Sequence, residues 1–385
     1  MIPYGRQEIT DADIDAVVAV LQSDFLTQGP SVPEFEQAVA EYCGASHGVA
    51  VNSGTSALHV ACLALGVREG DLVWTSPITF VASANCARYC GADVDFVDID
   101  PKTYNISVAA LRVKLEQAAK SDRLPDVVIP VHFSGQSCDM EPIRQLADQY
   151  GFSIIEDACH AVGGRYQDEK IGSCRYSDIT VFSFHPVKII TTAEGGMALT
   201  NDAGLARKMD LYRTHGISRD PKEMTRQPDG PWYYQQLELG YNYRMTELQA
   251  ALGISQLTRL DEVVGKRHLL AKSYDKQLKD LPLILPYQEK SNYSAYHLYV
   301  IRLKLDKINA SHKQVFEALR AAGIGVNLHY IPVYSQPYFS EFAFSPDDFI
   351  EAEAYYREAI TIPLYHHMSF SDQDLVVESL KSVLL

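Results

Sequence analysis

The chain has no C-x-x-C pair, no run of about 20 apolar residues and no excess of basic charge. Each absence excludes something. Without paired cysteines there is little basis for a zinc ribbon or a redox dithiol, and no metal site is expected. The seven cysteines, Cys43, Cys62, Cys86, Cys90, Cys138, Cys159 and Cys174, are odd in number and scattered. That usage fits a reduced, cytoplasmic compartment. Cys86 and Cys90, four apart, are expected to act as small hydrophobes on one helix face. The missing apolar run excludes a membrane-spanning helix, and the first residues, Met1 to Glu8, form no apolar signal region. Lys plus Arg number 34 against 49 Asp plus Glu, a formal net charge of -15. Nucleic acid and anionic membrane surfaces are thereby excluded as partners, because binding phosphates at scale needs a basic face. A single phosphorylated small molecule needs only a local site and stays open. There is no internal repeat and no low-complexity stretch.

What remains is a chain of 385 residues, 46% hydrophobic and 22% charged, enough for a large domain and a smaller one. Thr10 and Asp13 have capping-box spacing and open a helix with an apolar stripe of Ile14, Val17, Val18 and Leu21. Phe25 to Pro30 reads as a loop, and Ser31 with Glu34 opens a second helix carrying Phe35, Val39 and Tyr42. Strands then alternate with helices. Strands are expected at 48–52, 72–75, 94–97, 127–131, 152–156, 179–183 and 197–200, with helices at 55–65, 81–89, 108–119 and 141–150. This spacing predicts an α/β fold with a mainly parallel sheet covered on both faces. Residues 219–232 read as a polar loop, and 247–278 as one long helix with a break near Gly265. A strand at 295–305, a helix at 313–322, a short strand at 325–328 and helices at 349–360 and 372–383 then make a smaller α/β domain. The expected division is a large domain over 1–260, with the N-terminal segment packed on it, and a small one over 261–385.

Ligands in open α/β sheets bind beyond the carboxyl ends of the strands. Those ends carry Asn52-Ser-Gly-Thr-Ser56, Ser76-Pro-Ile-Thr-Phe80, His132, Asp157-Ala-Cys-His160, and Ser183 followed by Lys188. Lys188 is either a surface lysine or a desolvated amine able to attack a carbonyl carbon and form a Schiff base. The segment from Ser53 to Ser56 is either a plain helix cap or a phosphate cradle, with Gly54 allowing close approach and the Thr55 and Ser56 hydroxyls adding hydrogen bonds. Asp157 ends an apolar strand, where a charge needs a partner. It is either partly solvated or paired with a pyridinium nitrogen. Phe80 is either core or a stacking ring, and His132, His160 and His185 are either structural or part of a site.

Ser53-Gly-Thr-Ser-Ala57, Glu156-Asp-Ala-Cys-His-Ala161, Ser183-Phe-His-Pro-Val-Lys188, Glu194-Gly-Gly196 and Tyr241-Asn-Tyr-Arg-Met245 occur in one order along nearly the whole chain. Together they resemble the DegT/DnrJ/EryC1/StrS family of pyridoxal-phosphate (PLP) aminotransferases acting on nucleotide-linked keto sugars. The resemblance implies the aspartate aminotransferase fold (fold type I) and a homodimer with shared sites. It implies that Lys188 holds the cofactor as a Schiff base and moves a proton, that Asp157 pairs the ring nitrogen and that Phe80 stacks on the ring. Gly54, Thr55 and Ser183 would hold the phosphate, Asn242 would reach the neighbouring subunit's cofactor, and His160 would support the ring's oxygen side. Thr191-Thr-Ala-Glu-Gly-Gly196, Leu26-Thr-Gln-Gly29 and His329-Tyr-Ile-Pro-Val-Tyr334 are similar to the subgroup of pseudaminic acid synthesis. By that likeness Tyr4, Thr27, Gln28, His329 and Tyr330 would contact a UDP-linked 4-keto-6-deoxy-N-acetylhexosamine. L-Glutamate would be the amino donor, and UDP-4-amino-4,6-dideoxy-N-acetyl-β-L-altrosamine the product. A different keto sugar, and a non-catalytic PLP-binding regulator, are the alternatives.

Overall fold

The computed structural model describes residues 1–385. Seven strands form its central sheet, in the spatial order His47–Val51, Gly196–Thr200, Ile179–Ser183, Ser153–Asp157, Val127–Ile129, Leu72–Thr75 and Asp93–Phe96. Pairings from Ile179–Ser183 across to Asp93–Phe96 are parallel, whereas Gly196–Thr200 is antiparallel to both neighbours. It returns from Ile179–Ser183 with no crossover helix, as antiparallel neighbours can. Six strands therefore bring their carboxyl ends to one edge, and the loop after Ser183 folds back at that edge.

Both faces of the sheet are buried, so strands such as Ile179–Ser183 and Gly196–Thr200 are buried at every position. Successive residues serve opposite faces. Val73, Ile155 and Val181 join the core that includes Leu58, Val60 and Ala61 of the helix Gly54–Leu65. Trp74 and Ile154 join Leu111, Leu115, Ile143 and Leu146 of the helices Val108–Lys120 and Met140–Tyr150.

A second, three-stranded antiparallel sheet, Leu283–Ile284, Tyr299–Leu303 and Ala359–Ile362, has its own core with the helices Leu260–Leu278, His312–Ala321 and Phe370–Leu384. The first residues of the chain are stitched to this unit. Ile2 N–H donates to Gly323 O at 2.8 Å, Gly325 N–H to Ile2 O at 2.7 Å, and Leu364 N–H to Tyr4 O at 3.0 Å.

Several elements differ from the sequence expectation. The span 247–278 is two helices, Glu247–Leu257 and Leu260–Leu278, and the break falls at Thr258–Arg259 rather than near Gly265. Arg259 leaves the helix there to reach Asp13, while Gly265 has open space around it and is carried as an ordinary helical residue. Residues 325–328 form no strand, only an isolated bridge from Asn327 to Thr361. The helix expected at 349–360 ends at Glu358, and Ala359–Ile362 is a strand; the β-branched run Ile360-Thr-Ile362 favours it. The first helix, Asp11–Leu21, forms with its Thr10–Asp13 capping box, but its stripe faces outward. Ile14 and Leu21 are 51% and 57% exposed, and Asp13 is fully buried.

Candidate active site

A cavity of about 940 Å³ opens at the carboxyl edge of the central sheet. Its walls come from strand ends, from the N-terminal segment and from the C-terminal unit. It takes in Tyr4, Gly54, Thr55, Ser56, Phe80, Asp157, His160, Ser183, Lys188, His329 and Tyr330.

The helix Gly54–Leu65 starts at this edge because Ser53 adopts an extended conformation and caps it, its Oγ accepting from Ser56 N–H at 3.1 Å. Gly54 and Thr55, in the first turn, have no acceptor within the helix. A Cβ on Gly54 would stand 2.8 Å from Ser183 Cβ, so only glycine lets the helix end and the strand end close this cradle. The Ser56 hydroxyl is turned inward and donates to Asn52 Oδ1 at 2.7 Å.

Asp157 is buried and its two oxygens are held separately. Oδ2 accepts from Ser83 Oγ at 2.6 Å, and Oδ1 accepts from Cys159 N–H at 3.2 Å. The neighbouring Glu156 points the other way. It accepts from His132 Nε2 at 2.6 Å, while His132 Nδ1 accepts from Cys138 N–H at 3.1 Å. Both nitrogens of His132 are thus engaged away from the cavity, whereas His185 lines it.

Lys188 follows Ser183 on a turn closed by its own N–H donating to His185 O at 2.9 Å. Burial lowers its pKa, and the opposing attractions of Cys159 and Asp157 do not restore it. Across the cavity His160 Nε2 lies 3.1 Å from the Tyr330 hydroxyl, and its Nδ1 is buried without a partner. Burial, then the nearby Lys188 charge, holds His160 well below the usual histidine range and His329 at about 3. His329 Nδ1 bonds Thr361 Oγ1 at 2.9 Å, and its ring lies 5.1 Å from that of Tyr4. Phe80 is 57% exposed, a large apolar ring whose surface is left to the cavity.

Three candidates are not brought here. Thr27 and Gln28 line a second cleft of about 660 Å³ with Arg213, Arg219 and Arg244. Asn242 is exposed and bridges to Thr214 beside it. Conversely, sequence reasoning missed Ser83, Glu194, Gln249, Asn327 and His297. Glu194 lay within a quoted motif, but no spacing marked it for the site. His297 has its ring 4.4 Å from that of His160, yet it arrives from the C-terminal unit.

These residues fit pyridoxal phosphate. A desolvated lysine faces a fixed carboxylate, an aromatic ring is left uncovered, and a glycine keeps a helix N-terminus open for an anion. Residues 7–381 match the sequence pattern of the DegT/DnrJ/EryC1/StrS aminotransferase family. The chain belongs to that family.

This DegT/DnrJ/EryC1/StrS enzyme is 38% identical over 385 residues to the UDP-4-amino-4,6-dideoxy-N-acetyl-β-L-altrosamine transaminase of Campylobacter jejuni, covering 100% of this chain and 98% of that one. Among solved structures it resembles Helicobacter pylori PseC, an aminotransferase involved in the biosynthesis of pseudoaminic acid. The TM-score is 0.91 at 30% identity, covering 100% of this chain and 99% of that one. Spr1654 of Streptococcus pneumoniae, solved in its PLP form, aligns with a TM-score of 0.87 at 27% identity, covering 99% and 98%. The protein is a PLP-dependent nucleotide-sugar aminotransferase of fold type I.

Proposed function

We propose that the enzyme moves an amino group from L-glutamate to C4 of a UDP-linked 4-keto-6-deoxy-N-acetylhexosamine in the cytoplasm. The product is UDP-4-amino-4,6-dideoxy-N-acetyl-β-L-altrosamine, destined for pseudaminic acid synthesis. The observation that carries this reading is the full-length 38% identity to the Campylobacter jejuni transaminase.

Bound pyridoxal phosphate supplies a conjugated ring that accepts the electrons of a broken Cα–H bond. The chain's own residues do the rest. Lys188 holds the cofactor and then, as a free amine, takes the proton from the donor's Cα; in the reverse sense it returns a proton to C4 of the sugar. Its depressed pKa keeps that amine uncharged at lower pH than on a surface lysine. Asp157, fixed by Ser83 and Cys159, keeps the pyridine nitrogen protonated. Gly54, Thr55 and Ser183 would hold the phosphate, with Ser56, bonded to Ser53 and Asn52, shaping the cradle behind them; Phe80 would cover the ring and His160 would support its oxygen side. Tyr4, His329 and Tyr330 orient the sugar.

Thr27, Gln28 and Asn242 stand away from this cavity. We take them to complete the neighbouring subunit's site in a homodimer. The division into a large domain over 1–260 and a small one over 261–385 belongs to the same reading. The test is an assay of the purified enzyme with L-glutamate against a panel of UDP-4-keto-6-deoxy sugars, with the C4 configuration read by NMR. Turnover of the altrosamine precursor above the others is expected. Preference for a different keto sugar, or no turnover with any, overturns the proposal.

A further inference from the structure

One cluster of metal-ligating side chains lies outside this cavity and takes no part in the proposed reaction. Glu8 ends the extended segment ahead of the first helix, and His366 and His367 sit in the turn between the strand Ala359–Ile362 and the helix Phe370–Leu384. One ligand atom from each of the three lies within 4.8 Å of the other two. His366 is buried, and its Nε2 is 2.8 Å from Glu8 Oε2. The Nδ1 atoms of both His366 and His367 are buried without a hydrogen-bond partner. Native structures seldom leave buried nitrogens unpartnered, and a nearby ion is one recognised reason for it.

We propose that Glu8, His366 and His367 bind one transition-metal ion of the Zn²⁺ type. Two imidazoles and one carboxylate are the donor set that such borderline ions take, with water filling the remaining position. A single carboxylate offers too few oxygens for Ca²⁺ or Mg²⁺.

The cationic side chains nearby are mostly engaged elsewhere. Lys266 pairs with Glu262 at 2.7 Å and Arg259 with Asp13 at 2.7 Å. The buried Arg267 donates to the carbonyl oxygens of Tyr296, His297 and Leu364. Arg6, two residues before Glu8, remains as the free cation whose charge reaches His367.

The position gives the ion a purpose. The segment from Ile2 to Glu8 carries Tyr4 into the active-site cavity, and its first residues are already bonded to the C-terminal unit. An ion at Glu8 ties down the other end, so Tyr4 is held from both sides.

The test is calorimetric titration of the cofactor-loaded full chain, freed of unbound cofactor, with ZnCl₂. Glu8→Gln and His367→Ala are compared with His47→Ala, a histidine on the central sheet. Wild type and His47→Ala are expected to take up one equivalent and to melt higher with Zn²⁺. Glu8→Gln and His367→Ala are expected to bind at least tenfold more weakly with no rise in melting temperature, at unchanged circular dichroism. Equal binding by all four proteins, or no uptake by wild type, overturns the proposal and leaves a hydrogen-bonded histidine–glutamate pair.

Discussion

An amine can take a proton only when it does not already carry one, and the setting of Lys188 is built around that requirement. Burial disfavours its ammonium, while Asp157, close enough to be felt, is committed to Ser83 and Cys159. Replacing Lys188 by Ala is expected to lower transamination by about three orders of magnitude or more, measured as 2-oxoglutarate release. Lys188→Arg should fare no better, because a guanidinium does not deprotonate in proteins. Borohydride should fix a pyridoxyl group at residue 188 of wild type, seen by peptide mass spectrometry, and in neither variant. The histidines opposite imply a pH effect. Burial and the Lys188 charge hold His329 at about 3 and push His160 well down; burial and its neighbour His160 do the same to His297. In the unfolded chain all three take protons near pH 6.5, so below that value the unfolded state binds more protons and stability falls with falling pH. For His329 alone that cost is about 2 kcal/mol by pH 5. Urea unfolding at pH 7 and pH 5 should show the loss, and His329→Asn should recover part of it at pH 5 only.

At the scale of elements, one seam decides how the chain enters its fold. The first helix, Asp11–Leu21, packs on Glu247–Leu257 and buries a carboxylate, Asp13, as well as Val20. Asp13 is fully buried and accepts from Arg259 at 2.7 Å, from Ser255 Oγ at 2.7 Å and from Gln256 Nε2 at 2.8 Å. Burial alone would raise its pKa, but these donors outweigh it and hold the carboxyl at about 2. Arg259→Ala leaves that charge without its ion partner, which costs about 3–5 kcal/mol when a buried pair is broken. A fall of that order in unfolding free energy is expected by denaturant titration. The double variant Asp13→Ala/Arg259→Ala should lose less than the single one. The same seam shows what the sequence could carry. The strand–helix alternation was legible because most strands of the central sheet, such as Leu72–Thr75 and Ile179–Ser183, are short buried runs set off by their turns from the periodic helices. The strand ends bearing Asn52, Asp157 and Ser183 were legible for the same reason. The face of the first helix was not: period 3.6 marks a stripe, and nothing local says that Asp13 goes inward and Ile14 outward. Arg259 as a helix break was equally hidden, since its partner lies 246 residues away. Ser83 reaches Asp157, and His297 reaches the cavity, from elements far apart in the chain, with no spacing to announce them.

The whole molecule leaves a face uncovered that one chain cannot account for. Ile14, Val18 and Leu21 share one side of the first helix, and Phe25 and Leu26 continue it into the following loop, all 40% exposed or more. Full burial of such side chains is worth about 1.5–3 kcal/mol each. A patch of this kind on a folded chain marks an interaction surface. It runs directly into Thr27 and Gln28, which line the second cleft beside Arg213, Arg219 and Arg244. A homodimer built on this face would bury the apolar stripe and carry Thr27, Gln28 and Asn242 toward the other subunit's cavity in the same step. The double variant Val18→Glu/Leu21→Glu sets charges into that surface without touching the cavity of its own chain. It should sediment as a single chain, keep its far-ultraviolet circular dichroism, and lose at least tenfold in turnover, because each cavity then lacks its neighbour's contribution. Mixing it with the Lys188→Ala protein should restore nothing if no mixed dimer forms. A wild type that sediments as one chain at assay concentration with full activity would show instead that a single subunit holds everything the reaction needs.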